Sequence, residues 1–113
     1  GFFMALTAVP LRVEPAQSLS VVLGGQNVSL RLYTRDYLGT PHLYCDAAVD
    51  DAIIWRGHIC RNLQDLKLYG ALAFPGVLRF IDLRGSEDPQ WQVLGDRFAL
   101  LWGTEQDWEE LKA

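Results

Sequence analysis

The sequence predicts an all-β fold of mainly antiparallel strands, arranged as a small barrel or a compact sandwich with a short C-terminal helix. Three observations predict it. Runs of alternating apolar and polar residues recur about every ten residues, a spacing typical of all-β domains. Two of these runs flank the pair Gly24-Gly25. Near the end of the chain, a short apolar stripe follows a helix-capping pattern.

The strongest local prediction is a β-hairpin around Gly24-Gly25. Residues 18–23 alternate apolar and polar side chains before the turn, and residues 28–32 do so after it. Glycine supplies the positive φ angles that tight hairpin turns need. The polar faces of both runs carry serine and asparagine, so we expect one face to meet water or a partner.

The other predicted strands are shorter and are separated by turn residues. Pro10 and Pro15 bracket a predicted edge strand at residues 11–14. Further strands are predicted at residues 42–47, 53–55, 77–83 and 97–102. The segments predicted as turns or loops are residues 35–41, 50–51 and 84–90. Residues 62–69 fit either a short helical turn or an irregular crossover, because their leucines satisfy both periodicities.

A short helix is predicted after Thr104. Thr104 and Asp107 have the three-residue spacing of a capping box, in which two side chains satisfy backbone groups of the first turn. Trp108 and Leu111 then form an apolar stripe. A helix this short is marginal alone, so we expect it to pack on another surface.

The chain length of 113 residues suits one domain. We expect residues 1–3 to be the remnant of an expression tag, residues 4–103 to form one β domain, and residues 104–113 to form the helical tail. The first residues show no basic segment ahead of a long apolar run, so we expect no signal peptide. Cys45 and Cys60 would stay reduced in the cytoplasm.

The composition excludes several classes of protein. Hydrophobic residues make up 50% of the chain and charged residues 21%, which excludes a disordered chain. No apolar stretch approaches the roughly 18 residues of a membrane span, so we expect no membrane partner. The net charge is −4. We therefore expect no nucleic-acid partner, because neutralising phosphates needs a basic surface.

Four residues are of types that bind zinc, namely His42, Cys45, His58 and Cys60. A strand points His42 and Cys45 to opposite faces, and His58 lies too close to Cys60 for a zinc knuckle. Cys60 with either histidine has the groups of a nucleophile and base, but no flanking signature supports that pairing. We therefore predict no metal site, no cofactor and no catalytic residue, with the cysteines acting as small buried apolar side chains.

An acidic cluster surrounds the predicted loop at residues 84–90. Its members are Asp82, Glu87, Asp88 and Asp96. Their spacing does not match an EF-hand calcium loop. A solvated acidic loop between two apolar strands is therefore the favoured interpretation.

The chain has 4 tryptophans, which is many for its length. Tryptophan dominates the energetics of protein interfaces, so we expect one or two of them to contact a partner. Trp91 and Trp108 are the favoured candidates because they flank the predicted strands. Leu111, on the apolar stripe with Trp108, is the third predicted contact residue.

A series of short segments, in order along the chain, resembles the baseplate plug family of contractile-tailed bacteriophages, known from cyanophage-type baseplates. The segments are Pro10-Leu11, Pro15-Ala16-Gln17-Ser18, Leu23-Gly24-Gly25-Gln26, Leu30-Arg31-Leu32, an aromatic strand ending at Asp46, Asp65-Leu66, Pro75-Gly76-Val77-Leu78 with Asp82, Asp88-Pro89, and Leu94-Gly95 with Leu100. In this sequence Tyr44 stands where the family pattern favours tryptophan, and the acidic tail after Gly103 lies outside the pattern.

The resemblance implies a non-enzymatic, structural part of a phage or prophage tail baseplate, near the central hub and the end of the tube. It implies other baseplate proteins, hub and tube, as partners, with a homo-oligomer also possible. It places the protein in the virion tail, and in the host cytoplasm during assembly. One alternative is a small β-barrel that binds a carbohydrate or peptide in an aromatic-lined pocket. An enzyme that uses His58 or Cys60 is the least favoured hypothesis.

Overall fold

The structure is a computed structural model that describes residues 6–67 and 73–112. In chain order its strands are β1 (Thr7–Ala8), β2 (Ala16–Leu23), β3 (Gln26–Tyr37), β4 (Thr40–Val49), β5 (Ala52–Ile59), β6 (Val77–Asp82) and β7 (Phe98–Gly103). A short 3₁₀ helix covers Trp91–Val93, and the helix α1 covers Glu105–Lys112. The predicted tag remnant at residues 1–3 lies outside the described residues.

Strands β2 to β5 form a four-stranded antiparallel sheet in the order of the chain. Two-residue turns connect consecutive strands, and both residues of each turn have positive φ: Gly24 and Gly25, Leu38 and Gly39, Asp50 and Asp51. Turns of this kind match the right-handed twist of the strands that they connect. The predicted hairpin around Gly24-Gly25 is therefore confirmed, with Leu23 opposite Gln26.

Strands β1, β7 and β6 form a second antiparallel sheet in that order. The segment before β6 runs along the outer edge of β6. There the Leu63 amide donates to the Phe80 carbonyl and the Leu66 amide donates to the Leu78 carbonyl, both at 2.8 Å. The described part of the ambiguous segment 62–69 is thus irregular chain that covers a sheet edge, while residues 68–69 lie outside the described residues.

The main core lies between the two sheets. Alternate residues of each strand point into it, as the period of a strand requires. The largest fully buried side chains there are Phe74, Phe80, Phe98, Leu23, Leu30, Leu32, Leu43, Leu66, Leu78, Leu94 and Leu100. The two sheets pack as a compact sandwich and not as a closed barrel. Of the two predicted architectures, the sandwich is the one observed.

The helix α1 forms a third layer on the outer side of the three-stranded sheet. Trp108 packs there with Leu6, Val77 and Leu101, in a second apolar cluster. The capping box is confirmed, because the Asp107 amide donates to the Thr104 hydroxyl and the Thr104 amide donates to the Asp107 carboxylate. The order of layers is therefore four-stranded sheet, three-stranded sheet, helix.

The predicted edge strand at residues 11–14 is wrong, because the segment is an irregular loop. The buried side chain of Gln17 holds it in place. This amide accepts a hydrogen bond from the Arg12 backbone N–H at 2.9 Å and donates to the Arg12 carbonyl at 2.7 Å. Backbone groups that bond a side chain in this way are not available for a sheet ladder.

The prediction that residues 35–41 form a turn is also wrong, since the turn is only Leu38-Gly39. Strand β3 continues to Tyr37 and β4 begins at Thr40, so Pro41 lies inside a strand. Pro41 pairs with Asp36 beyond the end of β5, whose last pair joins Ile59 to Tyr44. Because none of the described strands lies on that side of Pro41, its missing N–H costs no ladder bond there.

Candidate functional site

The β3–β4 hairpin ends in an exposed apolar tip, defined here as residues 35–41, all of which are exposed. At its apex Leu38 is 89% exposed and Tyr37 is 51% exposed. Leu38 has a φ of 52°, in the left-handed region that leucine rarely adopts. An exposed leucine in an unfavourable conformation contributes little to the chain's own fold, so the tip is a candidate contact surface.

An aromatic and cationic group lies next to the tip on the outer face of the four-stranded sheet. The Tyr33 and Tyr44 rings are stacked with centroids 6.0 Å apart. The guanidinium groups of Arg31 and Arg35 lie 4.7 and 5.1 Å from the Tyr33 ring centroid. Cation–π contacts of this kind hold the arginines across the sheet surface.

Asp46 fixes the position of this group. Its carboxylate accepts hydrogen bonds from the Tyr33 hydroxyl at 2.8 Å and from the Gly57 amide at 2.7 Å, and it pairs with Arg31 at 3.6 Å. Burial, reinforced by the hydrogen bond to Asp46, raises the pKa of Tyr33. Gly57 lies at a bulge in β5, with a φ of 68°. Asp46 therefore holds the Tyr33 and Arg31 side chains in place on the outer face of the sheet.

A shallow hollow of about 620 Å³ lies on the same outer face. Its lining residues are Ser18, Leu19, Ser20, Ser29, Leu30, Arg31, Asp46, Ala47, Ala48, Ile53 and Arg56. Small side chains make it concave, and its charges are two arginines and one aspartate. None of the described residues that line it is aromatic, in contrast to the pocket expected of a carbohydrate-binding or peptide-binding module.

The structure places the three predicted contact residues in different surroundings. Trp108 is only 4% exposed, and its indole N–H donates to the Val77 carbonyl at 3.1 Å. The guanidinium of Arg79 lies 4.9 Å from the Trp108 ring centroid. Leu111 is half-buried beside this cluster, while half-buried Trp91 packs on the edge of the main core. The structure does not bring Trp91 together with the helix residues.

Cys45 and His58 lie opposite each other on β4 and β5, and within the described residues no hydrogen bond joins a histidine to a cysteine. Burial raises the pKa of Cys45 to about 12 and raises the pKa of Cys60 well above its usual value. The Nδ1 atom of His58 lies 2.5 Å from the Leu66 carbonyl oxygen, which accepts a hydrogen bond from the ring N–H. His42 Nδ1 is buried and has no hydrogen-bond partner among residues 6–67 and 73–112. Within residues 6–67 and 73–112, no group of three His, Cys, Asp or Glu residues is placed to hold a metal ion.

The acidic loop is more than a solvated segment. The Asp82 side chain is fully buried and binds Arg97, while Asp88 accepts a hydrogen bond from the Asn62 backbone at 2.9 Å. Asp96 pairs with Arg84 at the surface. The interpretation of this cluster as merely solvated is therefore wrong for Asp82 and Asp88, which connect the loop to the three-stranded sheet and to the segment beside it.

The family comparison agrees with these observations. A family model described as cyanophage baseplate Pam3 plug gp18 matches residues 6–105 of the chain. The chain belongs to this baseplate plug family. The match covers both sheets and ends at the start of α1, so the helical tail lies almost wholly outside it.

A baseplate plug is a structural component of a phage tail, which agrees with the compact β fold. As a member of the family, the chain belongs to the virion baseplate and interacts with other baseplate components. No curated protein matches it significantly. In the part of the chain that the structure describes, no helix is long and apolar enough to span a membrane.

Sequence reasoning missed the hairpin tip. The glycine and proline at positions 39 and 41 indicated a turn, and the turn prediction then absorbed Tyr37 and Leu38. The available signal was the presence of two large apolar residues immediately before the glycine, where a solvated turn usually carries polar residues.

Proposed function

We propose that this baseplate plug is a non-enzymatic building block that sits near the central hub and the end of the tail tube, and that it acts by packing against its neighbours. It assembles from the host cytoplasm into the virion tail. Its partners are hub and tube proteins. The observation that carries the proposal is the exposed tip, where Tyr37 and Leu38 present apolar area at the end of a protruding hairpin.

The tip has the features of an interface anchor. Tyrosine at the centre of an interface contributes a large share of binding energy, and a neighbouring apolar residue adds area that is lost from water on contact. A short two-residue turn restricts the tip before binding, so little conformational entropy is lost on association. Strand β3 extends the tip beyond the sheet, because its last residues pair only with β4.

The C-terminal helix supplies a second proposed contact surface. Residues 107–112 present the half-buried Leu111 beside several carboxylates. Trp108 holds the helix on its own chain, so we assign it the role of positioning Leu111. Trp91, at the start of the 3₁₀ helix that follows the loop at residues 84–90, remains a further proposed contact residue. Modest contacts of this kind add together when several copies surround a hub.

Replacing Leu38 by asparagine tests the role of the tip. Asparagine tolerates positive φ better than leucine, so Leu38→Asn should leave the melting temperature of the purified chain unchanged or slightly higher. In phage that carry the variant gene, we expect far fewer complete tails by electron microscopy. Normal tails containing the variant would contradict the proposed role of the tip.

Leu63→Asn is the matched control. Leu63 is also exposed, at 56%, and also has a positive φ, of 64°. It lies beside β6, where its amide donates to the Phe80 carbonyl. We expect normal tails from this variant. Deleting residues 104–113 tests the tail separately, and unchanged assembly after that deletion would remove the tail from the proposal.

A further inference from the structure

In the part of the chain that the structure describes, strand β2 is an open sheet edge without any of the usual protection. It is the terminal strand of the four-stranded sheet, and its sequence from Ala16 to Leu23 contains no charged residue, no proline and no glycine. It is also 8 residues long. Natural proteins normally protect such an edge with charges, proline, bulges or a covering segment, because its free backbone groups pair readily with another chain.

The register shows which backbone groups are free. Leu23 and Gln26 flank the two-residue turn, and in such hairpins the flanking pair exchanges both backbone hydrogen bonds. Hydrogen-bonded pairs then alternate along β2, which agrees with the bond of 2.9 Å from the Thr34 amide to the Pro15 carbonyl. The residues that direct N–H and C=O away from β3 are therefore Ala16, Ser18, Ser20 and Val22.

Nothing in the described residues bonds to these groups. The side chains of the same four residues are all exposed. The adjoining loop passes on the other face, where Gln17 binds the Arg12 backbone. Four successive donor and acceptor positions thus remain free on one side of β2.

The other edges of the two sheets are protected. Strand β5 carries a bulge and the charged Arg56, and β6 is covered by the segment that contains Leu63 and Leu66. Strand β1 has only 2 residues. Because the same molecule protects its other edges, the unprotected state of β2 indicates an edge that is covered in the assembly.

The surroundings of β2 indicate the chemistry of the covering strand. The hollow adjoins β2 through Ser18 and Ser20 and carries a net positive charge, from Arg31 and Arg56 against Asp46. Arg31 lies one strand away from the edge, opposite Ser18, and its guanidinium pairs with Asp46 on β4 at 3.6 Å. A covering strand with a carboxylate on the outer face next to Ser18 would complement this charge, because the small serine leaves room between the two groups.

A second copy fits the edge less well than a different protein does. Pairing two β2 edges antiparallel would relate the two copies by a two-fold axis across the sheet. A phage tail has two different ends, so copies arranged around it are related by rotation about the tail axis alone. Two-fold pairing is therefore incompatible with a ring of plugs around a hub.

We propose that the free edge of β2 binds an extended segment of another baseplate protein, which adds a fifth strand to the four-stranded sheet. The segment pairs with the backbone groups of Ala16, Ser18, Ser20 and Val22, and carries an acidic residue that faces Arg31. Affinity comes from the backbone bonds, and specificity comes from side chains on the outer face. The inference rests on the proposed function in so far as the partner is a baseplate protein.

Amide hydrogen exchange tests the proposal at single residues. In the purified chain, the amides of Ala16, Ser18, Ser20 and Val22 should exchange quickly while that of Leu19 is protected. In isolated baseplates the four outward amides should slow by at least about tenfold, as amides in stable ladders do. Unchanged fast exchange in baseplates would overturn the proposal. Protection that rises with concentration in the purified chain would also overturn it, by showing that a second copy occupies the edge.

The variant Ser20→Pro removes one outward amide, and Ser20→Ala is its matched control because it keeps the amide and loses only the hydroxyl. Proline is tolerated on an edge strand where the N–H faces away from the sheet. We expect the proline variant to be at least tenfold depleted from purified tails, with the alanine variant at the wild-type level. Equal incorporation of both would overturn the proposal.

If the proline variant melts at a lower temperature, Ser18→Glu with Ser20→Glu takes its place, because glutamates on this exposed face repel the acidic residue of the covering strand without entering the core. Tails that contain this double variant at the wild-type level would overturn the role of the edge and leave the proposed function intact. Tails that lack the wild-type chain altogether would overturn the proposed function itself.

Discussion

Asp82 and Arg97 form a two-pronged ion pair beside the paired ends of β6 and β7. Arg97 Nε donates to Asp82 Oδ1 at 2.8 Å, and Arg97 Nη2 donates to Asp82 Oδ2 at 2.7 Å. The same carboxylate accepts backbone hydrogen bonds from Arg84 and Glu87. Four donors thus converge on one buried carboxylate, which fixes the loop to the three-stranded sheet.

The first prediction concerns this carboxylate. Asp82→Asn should lower the melting temperature at neutral pH, because the amide loses the charge that Arg97 binds and cannot accept all four hydrogen bonds. Asp96→Asn is the matched control, since Asp96 pairs with Arg84 in solvent, where an ion pair contributes little. Thermal unfolding followed by circular dichroism measures both. Equal melting temperatures for the two variants would contradict the assigned role of Asp82.

The same pair predicts a dependence on pH. Hydrogen bonds from Arg97, together with those from the backbone, hold the pKa of Asp82 well below its usual value. The stabilisation is therefore complete above the unfolded-state pKa of about 3.9, and it is lost as the pH falls through the lower folded-state pKa. The difference in melting temperature between wild type and Asp82→Asn should stay constant from about pH 7 to about pH 5 and shrink below about pH 4. A difference that grows in acid would contradict this account.

The second prediction separates backbone strain from lack of space at two glycines. Gly76 and Gly25 both have positive φ, of 64° and 78°. A Cβ atom on Gly76 would lie 2.7 Å from the Gly103 carbonyl oxygen and 2.8 Å from the Trp102 ring, whereas one on Gly25 would meet nothing within 4 Å.

Alanine at either glycine costs about 1–2 kcal/mol for the left-handed conformation. Gly76→Ala should cost more in the free energy of unfolding than Gly25→Ala, because β7 must also move. Chemical denaturation of both variants measures the difference, and equal losses would show that the Gly76 turn has more room than the structure gives it.

The third prediction concerns Trp108. Trp108→Ala should destabilise the isolated chain by about 3–5 kcal/mol, the usual cost of removing a large buried aromatic side chain. Thr104→Ala, which removes the cap of the same helix, should cost about 1 kcal/mol. Denaturation of the purified variants measures both values. A fully stable Trp108→Ala chain would show that the tryptophan contributes to a partner contact instead.

The fourth prediction concerns the cysteines. Because burial raises the pKa of both thiols, neither should form the reactive thiolate in the native state. A thiol reagent should label the native chain only at the rate of unfolding, and both residues should react at once in denaturant. Rapid labelling of either residue in the native chain would revive the hypothesis of a nucleophilic Cys60.

The sequence predicted the elements whose signals are local. The Gly24-Gly25 turn with its alternating flanks, and the Thr104 and Asp107 cap, each depend on residues that are neighbours in the chain. The pairing of Leu63 and Leu66 with β6 could not be predicted, because it joins an irregular segment to a later strand. The Asp82–Arg97 ion pair could not be predicted for the same reason, since the two residues meet only after β6 and β7 pair.

For the function, too, some features could be predicted from the sequence and others depend on the folded structure. The resemblance in the sequence predicted the family, and the family comparison confirms it. The exposed tip and the open β2 edge became apparent only when strand lengths and neighbours were known, since Tyr37 and Ser20 look like ordinary turn and strand residues in the sequence. Burial of Trp108 depends likewise on the three-stranded sheet beneath α1.

Electron cryomicroscopy of complete tails tests the central claim most directly, namely that this chain is a packed component of the baseplate. The account predicts density for the chain near the hub and tube end, with Tyr37 and Leu38 buried against a neighbouring protein. Complete, infectious tails whose maps contain no density for the chain would contradict it.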